Sequence, residues 1–447
     1  MIIRTGIKNC LCRRNFVVLI FTAIMVILVY SMTTERMTAI RRLISKIQEK
    51  PVLCPVPISQ ESITPLKNTK HLLVSAFMDR RVKGFDIRII GIFKRDSIHP
   101  LHCSFCCGSV FNETTPAKIL PHSYHFSFPF GVADVLCPLP KNCDASHITL
   151  LTNPSANASE HTFIPVRNKN EKIRFNFTVC VSNLFGEYNN VLQFAQTLEM
   201  HKLLGVDRVV IYNTSCGPEL DRLLQGYIQE GFLEVVPWPI DKFLKPSWGW
   251  DITKYPGDMH YFGQIATLNE CMYRSMARSR YVLLNDIDEI ITPYKHNNLV
   301  SMMKTLEPNY SDVGEFLIEN HIFPKKHFEP SGRFHLPQWE KVPGINILEH
   351  IYRESPDRTK FHPYKLIVQP RLVEQTSVHF VVEKFGKQYK VPMDLCRIIH
   401  VRVALQGHLK LEQLNEDKRL WDFQEKLIPN VDKALKRAGL IPAEEQN

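Results

Sequence analysis

Three acidic side chains follow directly on a run of apolar residues in this 447-residue chain. The stretch over residues 281–289 reads YVLLNDIDE, which predicts a buried strand that surfaces at its carboxyl end. Because side chains alternate along a strand, Asp286 and Asp288 are expected on one side, with Ile287 turned into the core. Neighbouring carboxylates repel each other unless a cation lies between them, and Mn²⁺ or Mg²⁺ binds both carboxylate oxygens and substrate phosphates. The stretch therefore predicts a metal–diphosphate site, with a solvated turn as the alternative.

The elements before the acidic stretch predict the sheet that positions it. Strands are predicted over 177–183, 208–213 and 232–236, and helices over 189–204, 219–231 and 261–278. This alternation predicts an α/β fold with a mostly parallel sheet, and such sheets bind ligands outside the carboxyl ends of their strands. A nucleotide is therefore expected near Ser182, Asn183 and Glu187, at the end of the first of these strands.

Residues 69–170 predict a small β-rich module with disulfides. Strands are expected over 71–77, 85–93 and 148–151, and six cysteines lie between positions 103 and 180. An even set of ten cysteines after residue 50 favours disulfides in an oxidising compartment, although their pairing cannot be read from the sequence. Zinc is the alternative for the cysteines at 103, 106, 107, 137 and 143, whose spacing is not that of a regular zinc ribbon.

An uncharged apolar segment at 16–32 predicts a single-pass signal anchor. Basic residues precede it, so residues 1–15 are expected in the cytosol and the rest of the chain in the lumen. A cleaved signal peptide and the reverse orientation are the alternatives. The proline-rich residues 33–68 are expected to form a stem, and the short span suits the endoplasmic reticulum or Golgi membrane. Glycosylation motifs at Asn112, Asn157, Asn176, Asn213 and Asn309 agree with that location.

The net charge of +10 does not indicate a nucleic-acid partner, because residues 1–50 carry +7 of it. The other 397 residues contain no basic helix and no patch of interleaved aromatic and basic residues. Nucleic acid is therefore not expected as a partner.

Five blocks of sequence occur in order between residues 175 and 425. They read NLFGEYNNVL from Asn183, EMHKLLGVDRVVIY from Glu199, QIATLNECMYR from Gln264, DIDEIITP from Asp286, and KLIVQP from Lys365 with His379 shortly after. Together they resemble glycosyltransferase family 92. The resemblance implies a GT-A fold over residues 171–430, whose Asp-x-Asp motif binds a divalent metal and a UDP-sugar. It also implies inverting transfer of a hexose, galactose in known members, in β-linkage to a glycan acceptor.

The resemblance and the strand positions together suggest site residues. A late histidine is expected to complete the metal shell of Asp286 and Asp288, with His379 preferred to His400. Donor binding is expected from Asn183, Glu187, Gln264, Asn269, Arg274 and Lys365, with Arg402 as an alternative phosphate partner. Helical spacing prevents the residues at 264, 269 and 274 from all contacting one ligand.

An inverting transfer also needs a general base and a surface for sugar rings. Glu319 is the candidate base, with Glu315, Glu340 and Asp394 as alternatives. Trp248 and Trp250 are expected to stack on sugars or to pack in the core.

Two other functions are compatible with parts of the pattern. One is a catalytically silent carbohydrate-binding or scaffolding protein, which the intact Asp286/Asp288 pair disfavours. The other is a nucleotidyltransferase, which is disfavoured because the chain has no glycine-rich triphosphate loop.

Overall fold

The computed structural model describes residues 56–108 and 114–442. The predicted cytosolic tail, the apolar segment at 16–32 and residues 33–55 of the predicted stem lie outside these residues. Among the residues described, no helix is long and apolar enough to cross a membrane.

The first part of the chain forms the predicted β-rich module. Its sheet, in the described residues, contains β1 (Thr64–Pro65), β2 (Leu72–Met78), β3 (Ile87–Lys94), β4 (His102–Cys106), β5 (Thr114–Pro116), β6 (Lys118–Pro121), β7 (Phe130–Cys137), β8 (His147–Leu151) and β9 (Ile164–Arg167). Along the sheet the order is β5-β4-β8-β9-β2-β3-β7-β6, with β1 paired to β2. Ile63 and Leu66 are buried beside β1, so the folded body begins before the predicted stem boundary at residue 68.

The second sheet, two separate two-stranded sheets and the helices follow from residue 175. The strands are β10 (Phe175–Leu184), β11 (Arg208–Asn213), β12 (Leu233–Pro237), β13 (Ser279–Leu284), β14 (Glu289–Pro293), β15 (Val313–Pro324), β16 (Tyr352–Arg353), β17 (Tyr364–Val368), β18 (Val373–Thr376), β19 (Val381–Lys384), β20 (Lys387–Lys390), β21 (Cys396–Arg402) and β22 (Asn415–Glu416). The helices are α1 (Val191–Leu203), α2 (Pro218–Gln229), α3 (Gln264–Met276), α4 (Leu299–Leu306) and α5 (Gln424–Arg437).

The second sheet is parallel in its first half and mixed in its second half. Its order is β12-β11-β10-β13-β17-β15-β21-β14, with β20 on β15. The first four strands are parallel, as predicted, but β17 is antiparallel to both β13 and β15. The prediction of a mostly parallel sheet is therefore confirmed in the first half, whereas the second half is mixed, because β15 is parallel to β20 and β21 but β21 is antiparallel to β14. After residue 293 the described chain has one helix, α4, before β15 and then runs through strands and short helical turns until α5, so strands and helices no longer alternate regularly.

Helix α3 lies between the two sheets. Its residues are buried on all sides apart from Gln264 and Arg274, because it packs on β10 and β13 and also on β2 and β3. A helix covered on every side must be apolar or internally paired around its whole circumference. The module and the second sheet therefore share one apolar core, which the prediction of separate domains at 69–170 and 171–430 does not describe.

A buried arginine links the module to the second half of the chain. The guanidinium of Arg88 donates to Asp79 at 2.9 Å, to Asp134 at 2.6 Å and to Glu374 at 2.6 Å. Asp79 and Asp134 belong to the module, whereas Glu374 lies on β18. Arg88 has no exposed surface. A buried charge of this kind is tolerated only when every partner is in place, so the network fixes the two parts against each other.

Three disulfides join described cysteines. Cys103–Cys137 and Cys107–Cys143 tie strands and loops of the module, and they use four of the cysteines of the zinc alternative. Cys180–Cys271 ties β10 to α3. Cys216 and Cys396 are free thiols. The predicted disulfides are confirmed, and the zinc alternative is not supported.

Candidate active site

The three acids lie at the turn between β13 and β14. Strand β13 ends at Leu284 and β14 begins at Glu289, so Asp286 and Asp288 sit on the connection and do not alternate along a strand as predicted. The chain turns here because β14 leaves β13 and pairs with β21 at the far edge of the sheet. Ile287 is 7% exposed and packs into the core, as predicted.

A buried lysine lies between two of these acids. The Lys365 ammonium is 2.8 Å from Asp286 Oδ2 and 3.3 Å from Glu289 Oε2. Burial alone would lower the pKa of Lys365, but the two carboxylates outweigh burial and raise it. The same lysine outweighs the burial of Asp286 and lowers the pKa of that carboxyl. Lys365 thus contacts the acids themselves, where the sequence suggested a donor phosphate.

His400 on β21 lies against the other acid. Its Nε2 is 3.1 Å from Asp288 Oδ2, and its Nδ1 is 3.3 Å from Glu289 Oε1 and 3.2 Å from Asn320 Nδ2. The contact follows from strand register, because Glu289 and His400 are paired across β14 and β21. Burial would lower the pKa of His400, but Asp288 and Glu289 outweigh burial and raise it.

His379, the preferred metal histidine, has a different position. Its Nδ1 is 3.1 Å from the carbonyl oxygen of Tyr364, and its ring lies 5.9 Å from that of Phe361. Burial, followed by the nearby charge of Lys365, lowers the pKa of His379 to about 4, against an opposing effect of Asp286. The structure therefore places His379 near the acids but gives the direct carboxylate contact to His400.

The residues around Asp288 fit a divalent cation that takes some of its ligands from the protein and the others from a substrate. Three carboxylates face one ammonium and one imidazole, so the cluster attracts a further positive charge. His400 Nε2 is buried without a hydrogen-bond partner, although Asp288 Oδ2 is close. In the part of the chain that the structure describes, no group of three or more His, Cys, Asp or Glu side chains is arranged to hold a metal ion. Two protein ligands plus phosphate oxygens suit Mn²⁺ or Mg²⁺.

The end of β10 and the start of α3 meet the same cluster. Gln264 Nε2 donates to Asp286 Oδ1 at 3.3 Å and to Ser182 Oγ at 3.2 Å. Asn183 instead donates its amide to the carbonyls of Tyr261 and Phe262. Those two residues have φ of 37° and 51°, a left-handed conformation that costs free energy for side chains other than glycine. Asn183 thus supports a strained turn beside Asp286 and does not project toward a donor.

Three further predicted residues lie on loops, Glu187 after β10 and the two tryptophans after β12. Glu187 is exposed and has a left-handed backbone (φ 54°). Trp248 packs edge-on against Phe185 and Phe262, with ring centroids 5.6 and 5.5 Å apart, and remains 59% exposed. Trp250 is 58% exposed, so neither tryptophan belongs to the core.

Two predicted donor ligands are engaged elsewhere in the core. Asn269 is fully buried, where its amide donates to the carbonyls of Ile265 and Thr376. Arg274 pairs with Glu270 at 2.7 Å and with Glu234 at 2.8 Å. Both side chains stabilise the packing of α3, so the structure does not bring them to the acids.

Glu319, the candidate base, is held by an arginine fork. Arg358 donates to its two oxygens at 3.0 and 2.9 Å. Burial alone would raise the pKa of Glu319, but contacts with His321 and Arg358 outweigh burial and lower it to about 2. A carboxylate with so low a pKa is a poor proton acceptor near neutral pH, so the structure does not support Glu319 as the base. Of the alternatives, Glu315 is buried against Lys384, and Asp394 is paired with Lys295.

Four residues that the sequence pattern does little to single out lie at or near the acids: Glu289, Asn320, His400 and Arg402. Glu289 belongs to the acidic run and is itself buried, and burial, outweighing Lys365, raises its pKa. Asn320 donates to Glu289 at 3.4 Å. Arg402, at the end of β21, is exposed and acts electrostatically on both Tyr261 and His400. Strand register between β14 and β21 is the signal that would have identified His400.

Comparison with known proteins agrees with the family resemblance. A sequence model described as Glycosyltransferase family 92 matches residues 175–438. The chain is 20% identical over 380 residues to a protein of Caenorhabditis elegans named Beta-1,4-galactosyltransferase galt-1, covering 81% of this chain and 80% of that protein.

Two solved structures show a distant likeness. One is the mannosyltransferase PcManGT from Pyrobaculum calidifontis in complex with GDP-Man and Mn²⁺, at 11% identity and TM-score 0.29, covering 61% of this chain and 78% of that chain. The other is glucosyl-3-phosphoglycerate synthase from Mycobacterium tuberculosis in complex with phosphoglyceric acid, at 13% identity and TM-score 0.26. The match covers 60% of this chain and 82% of that chain. TM-scores this low carry no argument about the site.

Proposed function

This chain belongs to glycosyltransferase family 92, and on that premise we propose that it is a metal-dependent, inverting glycosyltransferase with a GT-A fold. It transfers galactose in β-linkage from UDP-galactose to a glycan acceptor, such as an N-glycan or another glycoconjugate. The likeness to a β-1,4-galactosyltransferase supports galactose and the β-linkage.

The observation that carries the proposal is the contact between Asp288 and His400 at the carboxyl end of β13. Asp288 and His400 would hold Mn²⁺ or Mg²⁺ together with the donor phosphates, and Asp286 would adjoin them. When bound, the metal neutralises charge on the leaving diphosphate. Lys365 holds Asp286 in place, and Gln264 ties that carboxylate to β10.

Exposed Arg402 supplies a cation for the donor phosphates. Its guanidinium makes no ion pair within the described residues, whereas Lys365 is already neutralised by two carboxylates. Guanidinium groups bind phosphate oxygens in pairs, which suits a diphosphate. Trp248 offers an exposed ring beside this site for a sugar or a base.

The chain acts, on this proposal, in the lumen of the Golgi or endoplasmic reticulum, anchored by residues 16–32. Three disulfides among the described residues support an oxidising compartment.

A donor panel tests the proposed reaction. Full-length protein is incubated with Mn²⁺, a glycan acceptor mixture and, one at a time, the UDP- and GDP-sugars, and nucleotide release is measured. We expect UDP release that is highest with UDP-galactose and abolished by a chelator, and NMR of the product should show a β-galactoside. If none of the sugar nucleotides is turned over, the alternative of a catalytically silent carbohydrate-binding protein would be favoured.

A further inference from the structure

A pocket of about 170 Å³ opens beside the acidic cluster, and neither the predicted donor site nor the predicted metal site includes it. One wall is Asn320 on β15. Residues of the loop over 354–362 and Gln406 complete the lining. We call it the loop pocket.

Two lining residues connect the pocket to the acidic cluster, Asn320 by direct contact and Phe361 through His379. Asn320 lines the pocket and also contacts His400 Nδ1 at 3.2 Å and Glu289 Oε1 at 3.4 Å. Phe361, which also lines the pocket, has its ring 5.9 Å from that of His379, which interacts electrostatically with Asp286. A molecule in the loop pocket would therefore lie next to the residues proposed to hold the metal and the donor diphosphate.

The lining suits a neutral sugar ring. Phe361 is 76% exposed, and a flat apolar ring in this position can cover the C–H face of a pyranose. Glu354 is only 3% exposed and lines the same pocket, with one oxygen accepting from the Gln406 N–H at 3.0 Å. Its second oxygen accepts no hydrogen bond from the described residues, so it remains for a ligand hydroxyl. One aromatic face with a few fixed polar groups is the usual composition of a small-ligand site.

The charge and the volume of the loop pocket restrict the class of ligand that it can bind. Glu354 and Asp357 contribute two carboxylates to the lining against the single ammonium of Lys360, so an acidic sugar would meet net repulsion. The volume is below the roughly 300 Å³ at which pockets hold drug-sized molecules. The loop pocket therefore suits one neutral sugar residue.

The loop that forms the pocket is fixed at its middle and at its carboxyl end. Arg358 is tied to the buried carboxylate of Glu319 by the two hydrogen bonds described above. His362 Nε2 lies 2.6 Å from the Asn320 carbonyl oxygen and holds the carboxyl end. Glu319 thus has a positioning role, since it acts on the pocket only through Arg358.

We propose that the loop pocket binds the terminal, neutral sugar residue of the acceptor glycan, with Phe361 under the ring and Glu354 accepting from a hydroxyl. This inference rests on the proposed transferase function and specifies where the acceptor binds. In this position the acceptor would lie beside Asn320, which contacts His400 of the proposed metal site.

Saturation-transfer NMR on the full-length protein tests the pocket without any turnover. The probes are the methyl glycosides of galactose, glucose, mannose, fucose and N-acetylglucosamine, with the methyl glycoside of glucuronic acid as the acidic comparison. We expect at least one neutral probe to bind and the acidic one not to bind. Phe361→Ala should abolish the signal. Phe328→Ala, which removes another exposed phenylalanine that also contacts a histidine ring, should retain it.

Kinetics separate this inference from the proposed function. Phe361→Ala and Glu354→Gln should raise the acceptor KM by about tenfold, which corresponds to about 1.4 kcal/mol of binding. The donor KM and the slow release of UDP without acceptor should not change. Wild-type acceptor KM in Phe361→Ala, or NMR binding that survives this variant, would overturn the loop-pocket assignment while leaving the transferase intact. Absence of all turnover would instead overturn the proposed function, and the NMR result would still decide whether the pocket binds sugar.

Discussion

Nε2 of His400 lies 3.1 Å from Oδ2 of Asp288, although the two residues come from distant parts of the chain. The contact exists because β14 pairs with β21, which brings the last strand of the sheet to the acids that follow β13. An imidazole and a carboxylate at this separation can supply two ligands of an octahedral metal ion, and donor phosphates and water can supply the rest.

Replacing Asp288 by asparagine should separate catalysis from folding. Asp288→Asn keeps the shape of the side chain but removes a negative charge from the metal site, so kcat should fall on the order of 10²-fold or more. The thermal midpoint should change little, because the loss of the contact with His400 offsets the loss of repulsion from Glu289. Ile287→Asp should do the reverse, burying a charge and reducing soluble expression. Full Mn²⁺-dependent transfer by Asp288→Asn would show that the acids form only a solvated turn.

The two histidines can be ranked by metal affinity. Electron paramagnetic resonance of free Mn²⁺, in the presence of UDP, measures binding without turnover. His400→Ala should weaken Mn²⁺ binding by at least about tenfold, because it removes the nitrogen that faces Asp288. His379→Ala is the matched control and should have a much smaller effect. If His379→Ala weakened Mn²⁺ binding more than His400→Ala, then His379 would be the metal ligand.

Glu319 should make the protein sensitive to acid. Its pKa is lowered to about 2, so the stabilisation it supplies is complete above its ordinary pKa of 4.5 and is lost as the pH falls towards 2. Glu319→Gln should therefore reduce the free energy of unfolding by about 2 kcal/mol at pH 7. It should also flatten the decline between pH 5 and pH 3, measured by urea denaturation. An unchanged pH profile in the variant would show that Arg358 does not stabilise the folded protein through this carboxylate.

The disulfide between β10 and α3 should contribute strongly to stability. Cys180 and Cys271 are separated by 91 residues, and closing so long a loop stabilises a folded chain by about 4 kcal/mol in the chain-entropy account. The double variant Cys180→Ser with Cys271→Ser should unfold at a clearly lower temperature in calorimetry. Cys216→Ser, at a free thiol, is the control and should unfold at the wild-type temperature.

A lumenal body should carry N-glycans. Asn157 and Asn309 are exposed members of the predicted glycosylation motifs. Protein expressed in animal cells should lose apparent mass on treatment with an N-glycosidase, and Asn157→Gln with Asn309→Gln should make that loss smaller. Protein with no glycan at any motif would contradict the proposed orientation in the membrane.

The sequence predicted those parts of the fold in which local pattern decides structure. Strand β11 occupies its predicted residues, and the prediction at 189–204 brackets α1. Pairing between strands far apart in sequence was not predictable, because alternation shows which face of a strand is buried and not which strand lies beside it. That is why His379 was preferred to His400: both follow similar apolar runs, and only the pairing of β14 with β21 distinguishes them.

Charged residues were misassigned for a related reason. Arg274 and Glu319 resemble ligand-binding groups in the sequence, but each has a partner far away along the chain, Glu234 for the first and Arg358 for the second. A single sequence does not reveal such pairs, so a balanced internal charge and a free functional charge look alike.

The buried guanidinium of Arg88 makes the β-rich module an obligatory part of the transferase. If the chain were cut at residue 171, Glu374 would lose that partner, and the side of α3 that now packs on β2 and β3 would face water. An isolated fragment of this kind would expose an apolar helix face to water and would be prone to aggregate. The smallest part of this enzyme that can fold on its own is therefore larger than the segment matched to its family. Gene fusions and deletions would have to keep both parts together.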